Sequence, residues 1–483
     1  MSTFKGTTLR ALFWKLFEQG GTAVVTLIIQ IVLARLLAPE EFGMLAIMLV
    51  FVNVGNVIVQ SGLNTAIIQS PDVTERDYST VFWMSLSISL VLYVTVFLLA
   101  PLVAGFYQMP QAVFPLRVLT LILIVNAYNS IQEAIVARSM QFRKTFLATV
   151  TAGVSSGAVG IVMALLGFGI WALVLQQLVQ QLVKCIVLAF QITWKPRFEF
   201  SRARAVVLFR FGWKLLFSGL LDQCYQGLSD LIIGKAFTKA DLGYVSQGKK
   251  YPFALGCLLD GAIQPVMLSA VSRVQGDLDM VKRLMRRALK TSVFLVMPAM
   301  ALFAAAADPI VRIVLGEQWV PSVPFLQAYC FIYALLPIHT TNLQVLNGVG
   351  RSDLFLKLEI IKTIIGVTIL AFAAFVVGDL YAIMVGYMVT GVVCTFVNAA
   401  PSKRVVGYAY SEQVRDILPA MLLSLFCAAC ISPIALVDLP NVLKILVQVA
   451  AMAVLYCGLA KMLRIEAFDY LLKTVKEIAS RKI

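Results

Sequence analysis

The 483 residues are 60% hydrophobic and only 13% charged, with a mean hydropathy of +0.88. A soluble domain carries about 45–50% apolar and about 25% charged residues, so one soluble core cannot hide this excess and most of the chain must face lipid or lipid-embedded helices. The net charge of +15 does not point to nucleic acid, because the basic residues gather at alternate junctions between apolar runs, the pattern of membrane orientation.

A helix needs roughly 20 apolar residues to cross the hydrocarbon core. In chain order the pattern predicts spans at 12–37, 42–67, 80–106, 113–137, 146–167 and 170–192. After a basic break come 207–236, 243–271, 291–314, 322–349, 358–377, 379–400, 416–437 and 441–463. The expected fold is all-α and polytopic, with about fourteen spans. The first run, Leu12 to Leu37, is too long for a signal h-region and lacks a small-residue cleavage site, so no cleavable signal is expected. Turn signals separate the runs at Ala38-Pro39-Glu40-Glu41, Gln108-Met109-Pro110, Gly167-Phe168-Gly169, Gly316-Glu317-Gln318 and Asp438-Leu439-Pro440.

One side of the predicted bundle receives Lys5, Arg10, Arg76, Arg138, Arg143 and Lys144, and then Lys195 to Arg204. It also receives Arg273 to Lys290, Arg351, Lys357, Lys403, Arg404 and the tail, whereas the other side holds little more than Lys239. Both termini are therefore expected in the cytoplasm, with an even number of spans. Residues 277–290 and 466–480 each carry an apolar stripe opposite basic residues, and both read as helices lying in the headgroup layer.

The eight cysteines nearly all fall inside apolar runs, and Cys427-Ala-Ala-Cys430 has no redox domain around it, so they read as small packing residues. No P-loop or HExxH pattern occurs. With outward loops of about a dozen residues or fewer by this reading, no catalytic residues, metal ligands or cofactor are expected.

The chain aligns with itself. At an offset of 200, Ala34-Arg35-Leu36-Leu37-Ala38-Pro39-Glu40-Glu41-Phe42-Gly43 meets Gly234-Lys235-Ala236-Phe237-Thr238-Lys239-Ala240-Asp241-Leu242-Gly243. Upstream, Trp14-Lys15-Leu16 answers Trp213-Lys214-Leu215; downstream, Arg138 to Lys144 answers Arg351 to Lys357. This predicts two pseudo-symmetric six-helix lobes, 1–192 and 206–400, joined by a cytoplasmic linker at 193–205. Two further helices follow over 401–465, and then an amphipathic tail over 466–483. Such duplication is a common plan of secondary transporters, whose site lies between the repeats.

The run Leu33–Gly43, with Ala66-Ile67-Ile68-Gln69, Gly316-Glu317-Gln318-Trp319, Pro324-Phe325-Leu326-Gln327 and Gly350-Arg351-Ser352, resembles the multidrug/oligosaccharidyl-lipid/polysaccharide exporter superfamily. The resemblance is to its bacterial polysaccharide exporters, the Wzx flippases of the colanic-acid-exporter-like branch. It implies flipping of an undecaprenyl-pyrophosphate-linked oligosaccharide across the bacterial inner membrane, by rocking of the two lobes and commonly coupled to an ion gradient. A monomer working beside polysaccharide-biosynthesis proteins is expected. A cation-coupled drug exporter of the same superfamily is the alternative.

A diphosphate substrate calls for cations and hydrogen-bonding groups inside the membrane, where ionisable side chains are costly and therefore functional candidates. Lys15 and Glu18 lie one turn apart in the first span; in the seventh, Lys214 matches Lys15, and Asp222, Gln223, Gln226 and Asp230 follow. Lys15 and Lys214 read either as a pair facing the cavity mouth, suited to diphosphate, or as side chains snorkelling to the interface. From the turn at Lys239, Asp222 is 17 residues away and Asp260 is 21. That is a depth difference of roughly 6 Å by the helical rise. Two carboxylates near one depth cannot both stay ionised without a cation, which makes them candidates for proton or sodium coupling. By the same count Asp230 and Lys249 form an intramembrane ion pair. His339, the only histidine, reads as a satisfied packing residue.

Overall fold

The computed structural model describes residues 25–60, 63–69, 73–139, 141–260 and 276–480, with Met267, Ala270, Val271 and Val274. Their regular structure is entirely helical, and contacts divide the chain into two compact units, Met1–Gly243 and Tyr244–Ile483.

In the first unit, α1 (Val25–Leu36) and α2 (Pro39–Gln60) form the opening hairpin, and a short α3 (Leu63–Gln69) follows. The long α4 (Glu75–Phe106) is apolar over most of its length and leaves Val91, Val94, Leu98 and Leu102 exposed, as a lipid-facing helix must. Then come α5 (Val113–Leu119), α6 (Ile122–Ser139), α7 (Phe142–Leu165) and α8 (Ile170–Gln191). The 35-residue α9 (Arg202–Ala236) belongs to this unit because it packs along α2: Gly227 stands against Val50 and Gly234 against Ile47. The helix α10 (Lys239–Asp260) begins at the end of this unit.

The second unit contains α11 (Leu278–Ala305), α12 (Ala307–Val314), α13 (Val323–Ala334), α14 (Leu336–Gly348) and α15 (Ser352–Ala371). A π-helical turn, Phe372–Val377, leads to α16 (Leu380–Ala399), α17 (Ser402–Val406), α18 (Tyr410–Ile431), α19 (Asn441–Met462) and α20 (Glu466–Ser480).

Among the described residues, eleven helical stretches are long and apolar enough to cross a membrane, and the chain is a multi-pass membrane protein. The other three predicted spans correspond to α1, for which residues Val25–Leu36 are described, and to α9 and α10. Those two carry many charged and polar side chains, which lowers their hydropathy without interrupting the helix.

One expectation is overturned. Residues 278–290 are not a separate helix in the headgroup layer but the first half of the continuous α11. Their stripe of Val281, Met285 and Leu289 is fully buried in the second unit's core, beside Tyr408, Ile417 and Met452. An amphipathic period looks the same in sequence whether its apolar face meets lipid or protein. The tail helix α20 behaves similarly, burying Ala467 and packing Phe468 and Leu471 on the same core. All eight cysteines are free thiols.

Candidate functional site

The fourth span of each half is broken at matching places. In the first half the break is at Thr120–Leu121 between α5 and α6, where the Thr120 hydroxyl bonds back to the Leu116 carbonyl at 2.6 Å. In the second it is at Leu335 between α13 and α14, where Pro337 cannot donate to the preceding turn. Discontinuous helices in corresponding positions of two repeats are where transporters of this architecture place polar work, since the freed backbone must be satisfied internally.

Below the first break runs a polar lane that the sequence reading missed. On α6, Asn126, Asn129 and Glu133 fall on one face. Asn126 donates to Asn56 of α2 at 2.9 Å, and Asn129 donates to Asn126 at 3.3 Å and to the Gln181 carbonyl of α8 at 3.2 Å. One turn on, Glu133 pairs with Lys184 of α8. Lone charges in two apolar spans were the available signal, but their partnership joins residues 51 positions apart and is visible only in the fold.

The second unit repeats the theme. Asn342 lies nine residues before Arg351, as Asn129 lies nine before Arg138. Fully buried, Asn342 donates to Gln413 Oε1 at 2.9 Å and accepts from Gln413 Nε2 at 3.2 Å and from Ser402 Oγ at 2.7 Å. One turn before it, His339 Nδ1 meets Asn398 at 2.8 Å, the satisfied packing role expected of it. On α15, Glu359 and Lys362 pair at 2.6 Å.

From this buried cluster a chain of bonds leads to the basic side. Gln413 reaches the Tyr408 carbonyl at 3.4 Å, the Tyr408 hydroxyl donates to Asp416 at 2.7 Å, and Arg286 grips both oxygens of Asp416 at 2.6 and 2.7 Å. Lys290 then joins Asp416, 3.3 Å away, to Glu466 of α20 at 2.6 Å. Desolvation, followed by the neighbouring Asp416 carboxylate, pushes the Tyr408 phenol well above its ordinary range, so it remains a donor.

In the first unit the segment 193–205 is fastened to the start of α4. Arg204 holds the carboxylate of Asp77, a residue 2% exposed, through two bonds of 2.8 and 3.0 Å. Arg197 pairs with Glu75 at 2.9 Å, Trp83 donates to the Arg197 carbonyl at 2.8 Å, and Phe198 stacks on Trp83.

The residues picked from the sequence fall mainly on α9 and α10. Lys15 and Glu18 lie outside the described residues. Lys214 and Asp222 belong to α9 and Asp260 to α10, by backbone only. On α9, Gln223 and Asp230 are half-buried and Gln226 is exposed; Lys249 of α10 is half-buried.

The chain is 25% identical over 368 residues to the succinoglycan biosynthesis transport protein ExoT of Rhizobium meliloti (strain 1021), covering 76% of this chain and 74% of that one. It is 21% identical over 401 residues to the lipopolysaccharide biosynthesis protein WzxC of Escherichia coli (strain K12), covering 82% and 80%. Its fold is that of the lipid II flippase MurJ in an inward closed conformation, with a TM-score of 0.76 at 14% identity, over 94% of this chain and 99% of that one. Residues 32–324, well over half of the chain, match the family described as polysaccharide biosynthesis protein, and the chain belongs to that family.

Proposed function

We propose that this protein is a flippase that moves an undecaprenyl-pyrophosphate-linked oligosaccharide from the cytoplasmic to the periplasmic leaflet of a bacterial inner membrane, for surface polysaccharide assembly. The observation that carries this reading is the family match over residues 32–324 in a chain of membrane-crossing helices. The names of ExoT, a transport protein, and MurJ, a flippase, support it. The protein catalyses no covalent step, works as a monomer and uses no cofactor beyond a coupling proton or sodium ion.

Transport proceeds by alternating access from the two sides of the membrane, the common mode of secondary transporters built from repeats. Lys15 and Lys214 draw the diphosphate to the cytoplasmic mouth, where a cation loses less of its hydration than at the midplane. Glu18, Gln223 and Gln226 offer hydrogen bonds to sugar hydroxyls. Asp222 and Asp260 share the coupling cation, and Asp230 with Lys249 is a structural ion pair. The basic side faces the cytoplasm.

The test is a deletion strain assayed for lipid-linked oligosaccharide. Accumulation in the cytoplasmic leaflet that the wild-type gene clears, and that Asp222→Asn does not clear while still reaching the membrane, supports the reading. Full clearance by the double variant Asp222→Asn with Asp260→Asn would remove the coupling assignment. Unchanged oligosaccharide together with lost dye efflux would make the protein a drug exporter instead.

A further inference from the structure

A cavity of about 590 Å³ opens on the basic side of the second unit, between the first turns of α11 and the tail helix α20. Its cations are Arg283, Arg286, Arg287 and Lys290 from α11 and Lys473 from α20. Spacings of three, four and seven residues put the four α11 cations along one face, where like charges repel unless something neutralises them.

Part of that neutralisation is internal. Arg286 and Lys290 are matched by Asp416 and Glu466. Arg283, Arg287 and Lys473 form no ion pair with a described residue: Arg283 reaches only the Met280 sulfur, and Arg287 lies over the Tyr470 ring with 5.0 Å to its centroid. Asp469, the remaining acid of the lining, is left without a cation partner of its own. The lining therefore carries five cations against two carboxylates, and its volume lies within the range of small-molecule sites.

Depth narrows the ligand. The cationic turns lie at the start of α11, immediately before the apolar stretch that begins at Thr291, so the cavity stands at headgroup level. Guanidinium forks match phosphate oxygens bidentately. We propose that this cavity holds the phosphate of an anionic glycerophospholipid from the leaflet on the basic side, joining α20 to α11 through a lipid as well as through Lys290 and Glu466. None of its lining residues is among the diphosphate-binding residues proposed above, and the proposal stands whether or not the transported substrate is the one proposed.

The test uses the full-length protein in detergent, with phosphatidylglycerol as the probe and native mass spectrometry and thermal unfolding as readouts. Wild type should retain phosphatidylglycerol and rise in Tm, with phosphatidylethanolamine doing neither. Replacing all three cations (Arg283→Gln, Arg287→Gln, Lys473→Gln) should weaken retention by about tenfold, while Arg283→Lys with Arg287→Lys keeps most of it. If the triple variant fails to fold, Lys473→Gln alone, a change on the exposed face of α20, should still lower retention. Equal retention by the triple or the single variant, or by phosphatidylethanolamine, overturns the proposal. So does an equal rise in Tm with inorganic phosphate alone, which would mark a soluble-anion site. Preference of this cavity for undecaprenyl diphosphate over phosphatidylglycerol overturns it too, by making it part of the transport path.

Discussion

Gly43 and Gly243, equivalent by the internal repeat, stand against one another at a single helix crossing. Each is the fifth residue of its helix. A Cβ added to Gly43 would run into the Lys239 carbonyl oxygen and lie 3.2 Å from the Gly243 nitrogen; one added to Gly243 would run into the Pro39 carbonyl oxygen and lie 2.9 Å from its carbon. The helix starts are capped alike, by Glu41 to the Ala38 amide at 2.9 Å and by Asp241 to the Thr238 amide at 3.1 Å. Gly43→Ala or Gly243→Ala should each cost about 1–3 kcal/mol of stability by overpacking. The double variant should cost less than the sum, because both relieve strain by opening one crossing. Thermal unfolding of the purified protein measures this, with Gly105→Ala as control: its added methyl meets nothing within 4 Å and should leave Tm unchanged or slightly higher.

That crossing also shows how far the sequence could be read. The repeat is legible because Pro39-Glu40-Glu41-Phe42-Gly43 and Lys239-Ala240-Asp241-Leu242-Gly243 share capping acids and a glycine at fixed offsets. Nothing in either segment says that the two pack against each other. The helices were legible from apolar length, including the polar α9, because a long uninterrupted run survives a few charges. The breaks at Thr120 and Leu335 were not, since the first has no proline and both fall within apolar stretches. The candidate residues were chosen by intramembrane charge along one segment at a time. Pairs such as Glu133 with Lys184, or Asn342 with Gln413, depend on which helices become neighbours.

Asp77 and Arg204 fasten the segment after α8 to α4, and the carboxylate is the buried partner. Asp77→Ala and Arg204→Ala should each destabilise the first unit by about 1–3 kcal/mol. A double-mutant cycle should return a favourable coupling energy of at least about 0.5 kcal/mol. Full additivity in chemical unfolding would show that the two bonds contribute nothing beyond their separate environments.

The Asn342–Gln413 pair makes a sharper case for unsatisfied groups. Asn342→Leu leaves the buried Gln413 amide and the Ser402 hydroxyl without their partner, which should cost about 1–3 kcal/mol. Adding Gln413→Leu removes one of those orphans, so the double variant should be more stable than Asn342→Leu alone. A double variant less stable than either single would mean that packing volume, not hydrogen bonding, governs the site.

Glu133 and Lys184 are ionisable groups within spans and only partly exposed, 38% and 18% for their side chains. Lys184→Met strands the carboxylate, at a cost of roughly 3 kcal/mol at membrane depth. Accumulation in the membrane should fall, and the Tm of the purified protein should fall with it. Exchanging the two, Glu133→Lys with Lys184→Glu, should restore both properties in large part. Failure of the exchange would mean that Lys184 or Glu133 has a partner beyond this pair.

The docking of α20 carries its own pH dependence. The Lys290 ammonium beside Glu466 holds that carboxyl below its ordinary range, with Arg286 assisting and Asp416 opposing. A depressed carboxyl contributes stability that is present above the unfolded value, near 4.5, and lost as pH falls through the lower folded value. Docking should therefore be constant from about pH 5 to 8 and loosen below about pH 4. Hydrogen exchange of the α20 amides, corrected for intrinsic rates, should show protection falling in that acid range. Glu466→Gln should remove the acid transition and leave protection low throughout, because its amide accepts from Lys290 without the charge. The side chain of Glu466 is 79% exposed, so added salt should weaken the wild-type protection as well. If salt has no effect and Glu466→Gln keeps the wild-type protection, the link acts through hydrogen-bond geometry and not through charge.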